Sequence, residues 1–317
     1  MPGTDRLIVL IPVYNDWSAL EQLLPPLYRM IRTDPEQGVE LVLVNDGSPV
    51  APEGSLYREK NTTLLHLTHN IGHQKALAIG LSYIHHHLPG DRVLILDADG
   101  DDRPEDAARL LAESLRQPDT IIAGRRARRQ EGTGRRLSYY LYLWLFRTLT
   151  GQVIRFGNFC VLPFRSISPL VHKGDIWHHL PGGILKSKLP LMMVPTEKGR
   201  RKEGRSHMSY GALVYHAIGA IAAFIDVIAI RLLLFSGFAI LLSVLSLVAI
   251  LVIRLTTELA IPGWASMLGA SLVIILLLSF LIALFLVFTF ITAQSYRKFV
   301  PALHYQEFIG RIERSEA

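Results

Sequence analysis

Residues 232–253 run for 22 positions, and residues 264–293 for 30, without one charged side chain. A helix needs about 20 consecutive apolar residues to cross the hydrocarbon core of a bilayer. The second run is long enough to tilt within it or to extend past it. The 255–263 segment between them carries only Glu258, whereas Arg200, Arg201, Lys202, Arg205 and Arg231 precede the pair and Arg297 and Lys298 follow it. Arg254, on the connecting side, is the exception. The positive-inside bias then predicts two transmembrane helices, over 231–254 and 263–294, with both termini in the cytoplasm. Two core helices of a soluble domain are the weaker alternative. A helix over 208–230 is expected to lead into the first span, and 295–317 to form a cytoplasmic tail.

Charges are frequent up to about Arg205, which leaves residues 1–207 as a polar domain ahead of the membrane. The net charge of +6 comes largely from two Arg-rich stretches, 125–136 and 200–205. Such stretches suit phosphates, nucleic acid or anionic headgroups, or simply a solvated face. The single cysteine, Cys160, excludes an intrachain disulfide and fits a reducing compartment. The first apolar run, 7–13, is too short for a signal peptide and reads as a strand.

Strand-like and helix-like patterns alternate through this domain. Residues 6–13 form a continuous apolar run, as expected of a strand buried on both faces. Leu20, Leu23, Leu24, Leu27 and Ile31 recur at helical spacing. Further strands are predicted over 40–44, 63–67, 92–96 and 120–123, with a helix over 74–87 and another opened by Pro104. This alternation predicts an α/β, Rossmann-like, mostly parallel sheet. Ligands then bind at the carboxyl ends of the strands. Three of those ends are polar: 12–16 (Pro-Val-Tyr-Asn-Asp), 45–48 (Asn-Asp-Gly-Ser) and 97–102 (Asp-Ala-Asp-Gly-Asp-Asp).

Each has a plausible chemistry. In an extended segment, residues two apart point to one side, so Asp97 and Asp99, or Asp99 and Asp101, can converge on a hard cation such as Mg²⁺ or Mn²⁺; Asp99 and Asp101 are the expected pair. Asp97 is left for the donor molecule. Acids ahead of Pro104 also suit a helix N-terminus, a description that fits Asp102, Glu105 and Asp106. Tyr14, Asp16 and Asp46 suit base and ribose recognition, although Asn-Asp and Asp-Gly pairs are also ordinary turns. Gly72 allows close backbone approach to a ligand, with Lys75 beside it. His66, His69 and His73 lack the spacing and companions of a zinc site, and His85, His86 and His87 read as solvated. Arg125, Arg136, Arg201 and Ser206 are candidate phosphate ligands. The aromatic stretch 137–150 suits an interfacial helix, as does 208–225, with core helices the equal alternative for both.

These motifs, in this order, resemble family 2 glycosyltransferases. The segments are Ile11–Asp16, Val44–Ser48, Asn70–Gly72, Asp97–Asp99 and Arg201–Ser206. The chain is most similar to the polyprenyl-phosphate branch, which includes dolichol-phosphate mannose synthases and undecaprenyl-phosphate glucosyltransferases. The resemblance implies a GT-A fold, a UDP- or GDP-sugar donor, Mg²⁺ or Mn²⁺, inversion at the anomeric carbon and a lipid phosphate acceptor. It also implies a multi-pass protein of the cytoplasmic (inner) membrane, with a role at the cell envelope. Position by position, Pro12, Tyr14, Asp16 and Asp46 would hold the nucleoside and Asp97 the donor. Asp99 and Asp101 would ligate the metal. Arg125, Arg136, Arg201 and Ser206 would bind phosphates, with Arg201 and Asp99 central to catalysis and Asn158 orienting the acceptor.

Four positions depart from the family pattern. Asp16 stands for Glu, Asn45 for the first Asp of Asp-Asp-Gly-Ser, His207 for Lys, and Asn158 for the Asp of a Gly-Asp-Phe found in some relatives. Partners other than nucleotide sugar, lipid phosphate and membrane lipid are not implied. Nucleic acid is disfavoured because no aromatic stacking module accompanies the Arg stretches. Homo-oligomerisation is left open. The alternatives are transfer to diacylglycerol, ceramide or a lipid-linked glycan, and a non-catalytic membrane scaffold.

Overall fold

The computed structural model describes residues 6–31, 38–50, 61–126, 143–197, 199, 219–221, 223–257, 263–295 and 299–315. Its centre is strand β1 (Leu7–Val13), in which all seven residues are buried. The apolar run divides its side chains between two layers. Leu7, Val9, Ile11 and Val13 pack with Leu20, Leu23, Leu24 and Leu27 of α1 (Trp17–Ile31), whereas Ile8 and Leu10 face the opposite layer.

The other elements follow in the predicted order: β2 (Val39–Asn45), β3 (Thr62–Leu67), α2 (His73–His87), β4 (Arg92–Ile95), α3 (Pro104–Arg116) and β5 (Ile121–Arg126). Leu77, Ile79 and Leu81 of α2 join the layer of Ile8 and Leu10. Ala107 and Leu110 of α3 join that of α1. Three strands were not predicted: β6 (Cys160–Pro163), β7 (Leu191–Thr196) and β8 (Ile309–Arg314). The sheet order is β7-β5-β6-β4-β1-β2-β3-β8. The strands β4, β1, β2 and β3 are mutually parallel, as are β5 and β7. Strand β6 runs antiparallel between β4 and β5, and β8 antiparallel beside β3. The mostly parallel α/β sheet is thus present.

Two expectations are corrected. The 295–317 segment is not a tail: residues 309–314 supply the edge strand beside β3. Its sequence, Ile-Gly-Arg-Ile-Glu-Arg, reads as polar because an edge strand carries charges on its solvent side. Nor does a helix end at 230. The helix α4 runs unbroken through Ile225–Thr256, since no Gly or Pro interrupts it near Arg231.

The long helices belong to a second unit, residues 141–152 and 224–298. Here α4 packs against α5 (Trp264–Ser295). Residues 143–150 are helical, consistent with part of the expected 137–150 segment; 137–142 lie outside the described residues. Arg231 donates to the Thr148 carbonyl at 2.9 Å, and Phe146 meets Phe224 edge to face. Both long helices are apolar enough to cross a membrane. Only 6% of the first candidate span is buried, and none of the second. A core helix of a soluble protein would be mostly buried, and Leu234, Phe235 and Phe288 are each about 70% exposed. Apolar surface on that scale, all round two helices, calls for a lipid environment.

Candidate active site

The sheet order creates the site. From β1 the chain moves to β2 and β3 on one side and to β4 on the other, so the crevice lies where the carboxyl ends of β1 and β4 part. The β1–β4 pairing ends at Leu10 and Ile95, whereas β1 stays paired with β2 as far as Val13 and Asn45. Pro12 sits just past the divergence. It is buried beside Val44, and its missing N–H leaves no ladder position unfilled on the β4 side. It shapes the strand end. Tyr14 is 47% exposed at the rim, and Asp16 is half-buried.

The loops after the strands are tied together. The Ser48 hydroxyl accepts the Asn15 N–H at 3.0 Å, and Asn15 has a left-handed backbone, φ 58°. Asp46 is buried, and its two oxygens accept the N–H groups of Ile71 (2.8 Å) and Gly72 (3.0 Å). Burial raises its pKa, an effect the two backbone bonds and the nearby His73 and His69 only partly offset. Asp46 therefore holds the 70–72 loop in place. Gly47 lies where any Cβ would fall 2.5 Å from the Asn70 nitrogen, so glycine lets these loops meet. Gly72, with φ 96°, has open space on its Cβ side. Lys75 lies with its ammonium 5.3 Å from the Trp177 ring centroid, a cation–π contact.

After β4 the chain does not stay extended. Gly100 adopts φ 75°, and the Asp101 N–H donates to Asp99 Oδ1 at 2.9 Å. Asp99 and Asp101 are thus carried on a turn and not on an alternating strand. Asp102, buried, accepts the Asp97 N–H at 3.1 Å. The Arg-rich 200–205 stretch lies outside the described residues, as do Arg136, Arg201 and Ser206, but its approach is described. Glu197 N–H donates to Asp106 Oδ2 at 2.9 Å, Arg103 bonds Glu197, and Gly199 N–H donates to the Asp101 carbonyl at 2.9 Å. The chain therefore enters that stretch from the carboxylate turn. Arg125 is exposed at the end of β5.

Asn158 precedes β6 and is part of a relay. Leu180 N–H donates to Gln74 Oε1 (2.7 Å), Gln74 Nε2 to Asn158 Oδ1 (3.0 Å), and Asn158 Nδ2 faces His73 Nε2 (2.9 Å). The same His73 nitrogen lies 3.2 Å from Asp97 Oδ1. Burial alone would lower the His73 pKa. The Asp97 carboxylate, and behind it Asp46 and Asp99, outweigh burial and raise it. With 41% of the side chain still accessible, desolvation is incomplete and the carboxylates set the sign. His73, Gln74, Asp102 and Gly199 were missed from sequence. The Asn-Ile-Gly-His-Gln-Lys segment marks this turn of helix in the sequence, where Gly72 and Lys75 stand out more than His73 and Gln74.

The donor set fits a hard divalent cation. Asp99 and Asp101 offer oxygen ligands at one tight turn. Among the described residues no group of three His, Cys, Asp or Glu could hold a metal. A cation here would thus take two carboxylates and complete its shell from phosphate oxygens and water, a common arrangement for Mg²⁺.

Residues 8–167, just over half of the chain, match the model of glycosyl transferase family 2. The chain belongs to that family. Over 153 residues it is 29% identical to the undecaprenyl-phosphate 4-deoxy-4-formamido-L-arabinose transferase of Proteus mirabilis, covering 47% of this chain and 45% of that one. The chain thus spans less than half the length of this relative. An uncharacterized glycosyltransferase of Synechocystis is 24% identical over 276 residues, 85% of each chain. Among solved structures, glucosyl-3-phosphoglycerate synthase of Mycobacterium tuberculosis, in complex with Mn²⁺, UDP-glucose and phosphoglyceric acid, superposes with TM-score 0.51. Its sequence identity is 15%, over 71% of this chain and 80% of that one. The GT-A-like fold of family 2 is therefore established for the α/β sheet of this chain.

Proposed function

We propose that this family 2 glycosyltransferase moves a sugar from a UDP- or GDP-sugar onto a polyprenyl phosphate at the cytoplasmic face of a membrane. One observation carries the reading: a crevice rimmed by Tyr14, Asp97, Asp99 and Asp101 occurs in one chain with two long, bare apolar helices. The Proteus relative is named for transfer on undecaprenyl phosphate, and the mycobacterial neighbour holds UDP-glucose with Mn²⁺. Both agree with this assignment of acceptor and donor.

In this reading Asp99 and Asp101 hold Mg²⁺ or Mn²⁺, which when bound neutralises charge on the departing diphosphate. The remaining work falls to the protein. Tyr14 and Asp16 receive the nucleoside at the β1 rim, and Asp97, braced by His73, faces the sugar. Arg201, two residues beyond the Gly199 anchor, meets phosphate, and Arg125, Arg136 and Ser206 add to the same field. A lipid phosphate is already anionic near neutral pH, with a second pKa of about 6. It needs alignment more than a strong base. Asn158, with both ends of its amide engaged, positions without abstracting a proton.

The test is a panel of UDP- and GDP-sugars assayed with undecaprenyl phosphate in detergent, with and without EDTA. Lipid-linked sugar formed from one donor and abolished by EDTA is the expected result. Transfer only to diacylglycerol, ceramide or a lipid-linked glycan would replace the acceptor. No transfer or donor hydrolysis would leave a scaffold.

A further inference from the structure

Asn45, one of the departures from the family pattern, is the near end of a second relay. The Ser48 N–H donates to Asn45 Oδ1 at 2.9 Å. A backbone N–H can only donate, so the amide orientation is fixed and Nδ2 faces His66 Nδ1 at 3.1 Å. Nδ2 in turn can only donate, which makes His66 Nδ1 the acceptor. A neutral ring then carries its proton on Nε2. That nitrogen lies 3.1 Å from Glu313 Oε1. Glu313 lies on β8, reached only after both long helices, where Leu64 pairs with it and Arg311 lies 3.0 Å from the same oxygen. Each polarity in the chain follows from the one before it.

We infer that Glu313 is a positioning residue for the donor loop, acting through His66 on Asn45. The relay fixes the Asn45–Ser48 turn, and Ser48 in turn holds Asn15 beside Tyr14 and Asp16. The inference rests on reading that rim as the nucleoside site. It also gives Asn45 a physical reason. A carboxylate there would face the His66 Nδ1 lone pair and require a doubly protonated ring between two acids. The segment that follows the membrane helices thus becomes part of the donor machinery.

The test uses the full chain in detergent. Long-range ¹⁵N spectra of labelled histidine, with His66 assigned from His66→Gln, read the tautomer; UDP and GDP titrations read the loop. The wild type should show the Nε2–H form. Glu313→Ala takes the acceptor from Nε2–H while the Asn45 amide keeps the proton there, so the Nε2 signal should move to a solvent-bonded shift, and nucleoside diphosphate binding should weaken roughly tenfold, the scale of one hydrogen bond to a charged group. Glu313→Gln keeps an acceptor and should restore both readouts. Asn45→Asp combined with Glu313→Gln should reverse the relay, with the proton on Nδ1.

An Nδ1–H tautomer in the wild type would overturn the inference. So would weaker binding in Glu313→Ala with an unmoved Nε2 signal, since a merely structural strand would do that. If neither nucleotide binds the wild type, the donor reading fails and the positioning role falls with it. The tautomer result, which needs no ligand, tells the two failures apart.

Discussion

His73 Nε2 stands between a carboxylate, Asp97, and an amide donor, Asn158. With the proton on Nε2 it serves Asp97; without it, it accepts from Asn158. An acid at position 158 would accept from Nε2–H and remove the conflict, so Asn158→Asp should raise the His73 pKa further, as read by NMR titration. The sign of the stability effect follows from the raised value. The folded chain binds this proton more tightly than the unfolded one. The contribution is therefore complete below the ordinary value of 6.5 and fades as pH rises through the folded pKa. The stability lost in His73→Gln should accordingly shrink between pH 6 and pH 8.5 in denaturant unfolding; a constant difference would refute it. Gly199 offers a steric test at the same scale. A Cβ there would lie 2.2 Å from the Gly100 carbonyl oxygen, which is backbone and cannot swing aside. Gly199→Ala must displace the Asp99–Asp101 turn or the entry to the Arg stretch. A misplacement of about 1 Å costs on the order of 100-fold in rate. Turnover should fall by roughly that factor while the unfolding midpoint barely moves.

Helix α2 meets the sheet through Gly80, where a Cβ would fall 2.5 Å from Leu10 Cδ1 and 2.9 Å from Val44 Cγ2. Gly80→Ala gains about 1 kcal/mol of helix propensity. Overpacking costs about 1–3 kcal/mol. Because Leu10 and Val44 are fully buried, overpacking should win, and urea unfolding should show net destabilisation. This element illustrates what was legible in the sequence. The apolar period of α1 and the continuous run of β1 are local signals, and both elements formed where they were expected. So did the gathering of 12–16, 45–48 and 97–102, because parallel strands linked by helices force their carboxyl ends to one edge. The strands β6, β7 and β8 were not legible. Each is short, and β8 sets two isoleucines three residues apart among Arg311, Glu313 and Arg314, so no period-two pattern marks it. Their partners lie far away in the chain, which periodicity cannot register. The site shows the same divide. Asp99 and Asp101 stand out as an acidic strand end, whereas the bonds of Asp46 to the Ile71 and Gly72 N–H groups do not, because backbone N–H partners leave no trace in side-chain pattern.

At the scale of the molecule, the return of β8 constrains the helices. Strands β1 to β5 and strand β8 share one sheet, so the chain leaves that unit before α4 and rejoins it after α5. If α4 and α5 each cross the bilayer once, the 258–262 connection lies on the face opposite the sheet. Cysteine labelling can check this in the natural background. Cys160 is buried and free, and burial pushes its thiol pKa well above the usual range, so it should stay unreactive. Ala260→Cys and Glu307→Cys would then report the two faces. In sealed inside-out vesicles a membrane-impermeant maleimide should label Glu307→Cys and spare Ala260→Cys until detergent is added. In right-side-out vesicles the pattern should invert. Labelling of both positions from one face would mean that the helices enter the membrane without crossing it. The lipid acceptor would then have to reach the crevice by another route.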